Sequence, residues 1–211
     1  MSRLIVTNVE TQNIKFDSDT TAFTIASDGT VSGTGDNASV VKIANETTGA
    51  STAALEIDIS TSNDYAYQML NLRGVYSTAT ADMYMQMRKA SDSSYITDSY
   101  LSIIGSHVQT SSSTSTSQNG LWNGSYFRMV HNGLTNDAVH QLNDFNIYFY
   151  HTADGKKFNV GVDRFGQNSG GIMKEQMSGK GGYVDVVDRL KLYMASGNIV
   201  YDEYTLYGFK K

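Results

Sequence analysis

Neither cysteine nor proline occurs among the 211 residues. Without cysteine there are no disulfides, no thiolate-held zinc, no iron–sulfur cluster and no thiol nucleophile. Without proline, whose usual share is about 5%, turns must be made by Gly, Asn, Asp and Ser. Charge is also sparse: Asp, Glu, Lys and Arg make up 18% of the chain, below the usual share of about a quarter. Acids outnumber bases 21 to 16, for a net charge of −5. That balance opposes non-specific phosphate contacts, so no nucleic-acid partner is expected. No apolar run reaches the ~18 residues of a membrane-spanning helix. The opening Met1-Ser2-Arg3-Leu4-Ile5-Val6-Thr7 has no longer apolar region and no cleavage box. Neither a signal peptide nor membrane insertion is therefore expected.

What is present is hydroxyl, amide and aromatic. The chain has 24 Ser, 20 Thr and 15 Asn, with 14 Tyr, 8 Phe and 1 Trp. That many aromatics can fill a core, which excludes general disorder. Charge is uneven: residues 1–64 hold nine acids and three bases, residues 65–211 twelve acids and thirteen bases. The first stretch has Phe16 and Phe23 as its only large aromatics and cannot bury much core alone. Its β-type runs, at 4–9, 13–16 and 22–26, are cut by Asp/Gly/Ser turn clusters. Residues 1–50 therefore read as an attachment or oligomerisation arm. Its pairing side chains would be Leu4, Ile5, Val6, Ile14, Phe16, Phe23 and Ile25, since short strands without a core must find partners.

Residues 51–211 read as a second unit with strong two-residue periodicity. Leu55, Ile57 and Ile59 alternate with polar residues, as do Met83, Met85 and Met87, then Phe145, Ile147 and Phe149, then Leu190, Leu192 and Met194. Runs at 65–72 and 158–163 alternate likewise, and 100–108, 121–131 and 203–209 fit strands. This is the signature of half-buried antiparallel strands. About nine strands without covering helices imply an all-β sandwich or barrel. Helical periodicity is confined to one expected turn within 172–178. Two loops are expected: an exposed linker or hairpin tip at 106–120, containing the Ser/Thr run 111–117, and a long Gly-rich loop at 164–182.

The two ends resemble known proteins. Ser2-Arg3-Leu4-Ile5-Val6-Thr7-Asn8-Val9 through Asp28-Gly29-Thr30-Val31-Ser32-Gly33 is similar to the N-terminal attachment arms of tailed-bacteriophage structural proteins, marine phages especially. Leu190 to Ile199, with its Ser196-Gly197-Asn198-Ile199 close, and the final Tyr204-Thr205-Leu206-Tyr207-Gly208-Phe209-Lys210-Lys211 resemble a C-terminal module of phage fibre and appendage proteins. One departure is Asp202-Glu203, where a Gly turn before the last strand would match. The resemblance implies a jelly-roll-like sandwich and a trimeric virion protein, a short fibre, knob, appendage or capsid decoration. It implies attachment to other virion proteins through the arm, contact with the host surface, and residence in the extracellular particle.

Candidate chemistry points to binding. His107, His131, His140 and His151 lack any His-x-His or His-Glu-x-x-His spacing, so no metal is expected. Asp17, Asp19 and Asp28 do not follow the order of a calcium loop. Asp185, Asp188, Asp202 and Glu203 could offer a glycosidase pair, which needs carboxyls roughly 5–9 Å apart. No nucleophile elbow or phosphate loop occurs. No catalytic residue and no cofactor are therefore expected. Aromatic faces beside amides and hydroxyls suit sugars, whose C–H faces stack while their hydroxyls hydrogen-bond. On that ground the candidate ligand residues are Trp122, Asn123, Tyr126, Tyr148 and Tyr150, with a host surface glycan as ligand. The alternative to a virion protein is a stand-alone lectin-like carbohydrate-binding sandwich.

Overall fold

The fold is taken from a computed structural model. It describes residues 13–15, 21–25, 31–33, 40–60, 65–98, 100–109, 113–130, 133–134, 143–150, 158–168, 171–181 and 186–210. Contacts divide the chain into two compact units, Met1–Val41 and Lys42–Lys211.

The first unit contains a three-stranded antiparallel sheet: β1 (Asn13–Lys15), β2 (Thr21–Ile25) and β3 (Val31–Gly33), in that order. Ile14 sits opposite Phe23, and Ile25 opposite Val31. The backbone of Ile14, Phe23 and Ile25 is thus in paired strands. Leu4, Ile5, Val6 and Phe16 lie outside the described residues, as do Asp17, Asp19 and Asp28.

The second unit is an all-β sandwich. Its strands are β4 (Val40–Thr47), β5 (Ser51–Thr52), β6 (Ala54–Asp58), β7 (Tyr65–Ser77), β8 (Met83–Lys89), β9 (Tyr100–Gln109), β10 (Thr114–Gly124), β11 (Phe127–Arg128), β12 (Asn143–Tyr150), β13 (Asn159–Asn168), β14 (Gly171–Gly181), β15 (Val187–Met194), β16 (Ile199–Val200) and β17 (Glu203–Lys210). The large sheet runs β10-β9-β14-β13-β12-β7, and then β16 and β5, with β17 and β4 continuing beside β7. The small sheet runs β11-β8-β15-β6. Among the described residues there is no α-helix.

Alternation builds the core. Met83, Met85 and Met87 of β8, Leu190, Leu192 and Met194 of β15, and Leu55 and Ile57 of β6 face inward from the small sheet. Leu70, Leu72, Phe145, Ile147, Phe149, Val160, Val162, Met177 and Ile104 face them from the large sheet, in one hydrophobic cluster. Burying each such side chain contributes about 1.5–3 kcal/mol.

Three sequence expectations are corrected here. Residues 164–182 are not a Gly-rich loop: β13 and β14 form a hairpin in continuous register from Asn159↔Lys180 to Asn168↔Gly171. The turn expected within 172–178 is strand too, because Ile172, Lys174 and Gln176 are exposed while Met173, Glu175 and Met177 are buried. The glycines fit crowded strand positions. A Cβ on Gly166 would lie 2.0 Å from the Asn143 Oδ1. The Ser/Thr run at 106–120 is a hairpin whose return strand is β10 itself, not its tip alone.

One buried charge cluster interrupts the apolar interior. Arg164 and Glu175 are directly opposite on β13 and β14, exposed by only 0% and 1%, with Nη1 to Oε2 at 2.5 Å. The Nε and Nη2 of Arg164 donate to Asn143 Oδ1 at 3.0 and 2.8 Å, and the Asn143 amide donates to the Val75 carbonyl. Burial pushes the Arg164 guanidinium below its usual range, against the pull of Glu175.

Gly74 marks where β7 changes partner. Arg73 pairs with Glu203 of β17, and Tyr76 with Val200 of β16. Gly74 has φ +64° and lies under Asp202, so that a Cβ would fall 2.1 Å from Asp202 Oδ2. Its N–H donates to Asp144 Oδ1. The Asp202-Glu203 pair thus occupies the corner where β16 gives way to β17. Gly74→Ala should destabilise by ~1–3 kcal/mol through backbone strain, with the side-chain clash added, read as a lower denaturation midpoint. Glu175→Gln should remove ~3–5 kcal/mol by stranding the guanidinium, whereas Arg164→Met with Glu175→Leu should recover most of it.

Candidate functional site

The outer face of the large sheet carries an aromatic strip beside a shallow trough. Because Phe145, Ile147 and Phe149 point inward, Tyr148 and Tyr150 of β12 stand outward, and Tyr150 is 48% exposed. Tyr67 of β7 lies 5.6 Å from Tyr150 and stacks on Phe209 of β17 at 4.2 Å. Register extends this strip across the sheet. One row runs Met69–Tyr148–Gly161–Ser178–Ile103 over β7, β12, β13, β14 and β9. The next runs Tyr150–Asn159–Lys180–Leu101.

Gly161 lowers the floor between the tyrosines and the far wall, since an added Cβ there would meet nothing within 4 Å. Beyond it lies a depression of about 340 Å³ lined by Leu101, Ile103, Leu121, Asn159, Ser178 and Lys180, with Ser102 and Gly179 also lining it. Ile103 is 57% exposed. The buried hydroxyl of Ser102 has no hydrogen-bond partner. Burial first, then the nearby Asp163 carboxylate, raises the Tyr148 hydroxyl above its ordinary value. At neutral pH it therefore remains a donor. Asp163 itself accepts from the Gln176 amide at 2.9 Å. Hydroxyl, amide and ammonium thus line the depression, and the tyrosines stand on the neighbouring strand β12; together these are the group types that stack a sugar ring and bind its hydroxyls.

The five residues singled out from sequence do not form one site. Tyr148 and Tyr150 share the strip. Tyr126 belongs to the small sheet's outer face, stacked on Tyr84 at 3.9 Å, with Tyr193 edge-on to Tyr84. Burial, then the hydrogen bond that Tyr84 donates to Tyr126, pushes the Tyr84 hydroxyl up to about 12. Lys191 lies over the Tyr95 and Tyr193 rings at 5.0 and 5.3 Å. Trp122 and Asn123 fall in the irregular stretch of β10 just after the trough-wall residue Leu121, and their side chains lie outside the described residues. Leu101, Ile103, Asn159, Gly161, Ser178 and Lys180 escaped sequence reading. Their alternation gives the face, while only register makes them neighbours.

The other polar candidates are placed as follows. His107 is exposed on β9 opposite Lys174. His131, His140, His151 and Asp185 lie outside the described residues. Asp188 accepts two hydrogen bonds from Arg88 at 2.9 and 2.8 Å. Glu203 accepts from the Asn45 amide.

No protein-family model matches the chain. No curated protein matches it either. Among solved structures, a fructofuranosidase from Schwanniomyces occidentalis, complexed with fructosylnystose, is similar with a TM-score of 0.26 at 7% identity. The match covers 94% of this chain, which spans only 38% of that enzyme. A likeness this slight carries no argument about activity.

The trough's two glycines should respond oppositely to alanine. Gly161→Ala should be neutral or stabilising by up to ~1 kcal/mol, since its site is open. Gly179→Ala should destabilise, because its Cβ would fall 2.7 Å from Phe127 Cε1 and 2.9 Å from the Leu101 carbonyl oxygen. Chemical denaturation of the two variants checks both signs.

Proposed function

We propose that the chain is a non-enzymatic structural protein of a tailed-phage virion: a short fibre, knob, appendage or capsid decoration. The arm attaches it to other virion proteins and gathers three copies, and the sandwich projects from the extracellular particle. The observation that carries this reading is where the resembling C-terminal stretches fall. Residues 190–194 supply most of β15, which lies between β6 and β8, and residues 204–210 supply nearly all of β17, which lies between β4 and β7. The likeness therefore resides in interior strands of both sheets, with Gly197 at φ +72° in the turn between β15 and β16. Ser/Thr/Asn turns, strong β content and the lack of thiols suit a particle that survives outside cells. Light scattering should give a native mass near three times 23.1 kDa. Phe16→Ser with Phe23→Ser should lower that mass and release the protein from particles. Unchanged mass and particle association in the double variant would sink the account of the arm.

A second reading, carbohydrate binding by the sandwich, is favoured by the trough beside Tyr148 and Tyr150. Host-surface polysaccharide should perturb the fluorescence of the lone tryptophan. Tyr150→Ala should weaken that titration by roughly 2- to 10-fold, the scale of one aromatic stacking contact of about 0.5–1.5 kcal/mol. A variant that titrates like the parent removes this reading without touching the first.

A further inference from the structure

Residues 99–127 contain no Asp, Glu, Lys or Arg. Within it lie β9 and β10, paired antiparallel, with β10 at one edge of the large sheet. From Thr114 to Leu121 β10 holds continuous register on β9, and the irregularity comes only after Leu121. Thr114, Ser115, Thr116, Gln118 and Gly120 are exposed. Ser117 Oγ lies 2.6 Å from Ser106 Oγ, fixing the strand to its one neighbour. Among the described residues, no second strand pairs with β10.

The sandwich's other edges are protected. β4 carries Lys42 and Glu46, β6 carries Glu56 and Asp58, and β5 and β11 are two residues each. Charge and shortness are the usual means of blocking edge-to-edge pairing, because a long flat edge presents unpaired N–H and C=O groups to any strand. β10 lacks both, and it lacks proline.

We propose that β10 is a pairing surface for the β10 strand of a second copy, antiparallel about a two-fold axis. The strand is self-complementary. Ser, Thr, Asn and Gln each donate and accept, and no like charges meet at the axis. With the axis beside Ser117, Thr116 faces Gln118 of the second copy on the outer face, and Ser115 faces Asn119 on the inner. A two-fold perpendicular to the sheet keeps outer faces together, so both troughs open on the same side of one continuous sheet. A ligand repeated along a polymer would then meet two linked sites. The contact is independent of the N-terminal arm and multiplies by two whatever number the arm gathers.

The test is native mass by light scattering across a concentration series reaching the millimolar range. Thr116→Lys with Gln118→Lys places like charges opposite one another. Its mass should be half that of the wild type at the high end. Thr116→Glu with Gln118→Glu should behave the same, and an equimolar mixture of the two should regain the wild-type mass. Equal mass for wild type and Lys variant at every concentration overturns the proposal, as does a mixture that fails to recover. Hydrogen exchange on the wild type alone supplies a second measurement. The alternate amides of 115–121 that point away from β9 should gain protection with concentration, and concentration-independent exchange overturns it even if the variants do not fold.

Discussion

Alternation along β12 sets both the core and the outer tyrosine face. Phe145, Ile147 and Phe149 must turn inward together, so Tyr148 and Tyr150 must turn outward together. The same rule on β7, β13, β14 and β9 puts Tyr67, Gly161, Ser178 and Ile103 on that outer surface. The trough is therefore not an addition to the sandwich. Any substitution that slipped β12 by one residue would bury Tyr148 and expose the phenylalanines, losing core and site in one step.

The Arg164–Glu175 pair bears on the same point. Two desolvated ions are a poor source of stability, since well-packed apolar residues of similar volume do as well or better. Their value lies in register. β13 and β14 are rich in glycine and polar residues, and a slipped pairing of such strands loses little apolar contact. It would, however, separate the guanidinium from its carboxylate on β14, leaving a buried charge without its counter-ion. The polar cluster thus fixes the alignment that Val160, Val162 and Met177 would leave loosely specified, and that alignment carries Asn159, Gly161 and Lys180 into the trough.

Much of the fold was legible in the sequence where apolar residues alternate without interruption. Met83 to Met87, Phe145 to Phe149 and Leu190 to Met194 are core strands because no competing signal obscures their period. The failure at 164–182 has a physical cause. Glycine reads as loop, yet Gly166, Gly179 and Gly181 are small because Asn143, Phe127 and Met87 press against them. Nothing in the sequence pairs Arg164 with Glu175, because only the β13–β14 register sets them opposite one another. The site was half legible. Tyr148 and Tyr150 follow from the β12 pattern, but Tyr126 was chosen with them on residue type, which does not say which sheet a side chain joins. Tyr126 instead meets Tyr84 across the β11–β8 pairing.

The order of the sheets also bears on how the chain comes off the ribosome. Ile57 of β6 pairs with Leu190 of β15, Thr52 of β5 with Ile199 of β16, and Leu70 of β7 with Leu206 of β17. Early strands in each sheet thus wait for the latest ones. β17 closes the space between β4 and β7, so neither sheet is complete until its C-terminal strand has emerged. Such long loops must close before their contacts repay them, which slows folding and leaves edges open during synthesis. The chain has no prolyl bond to add a slow isomerisation to that wait.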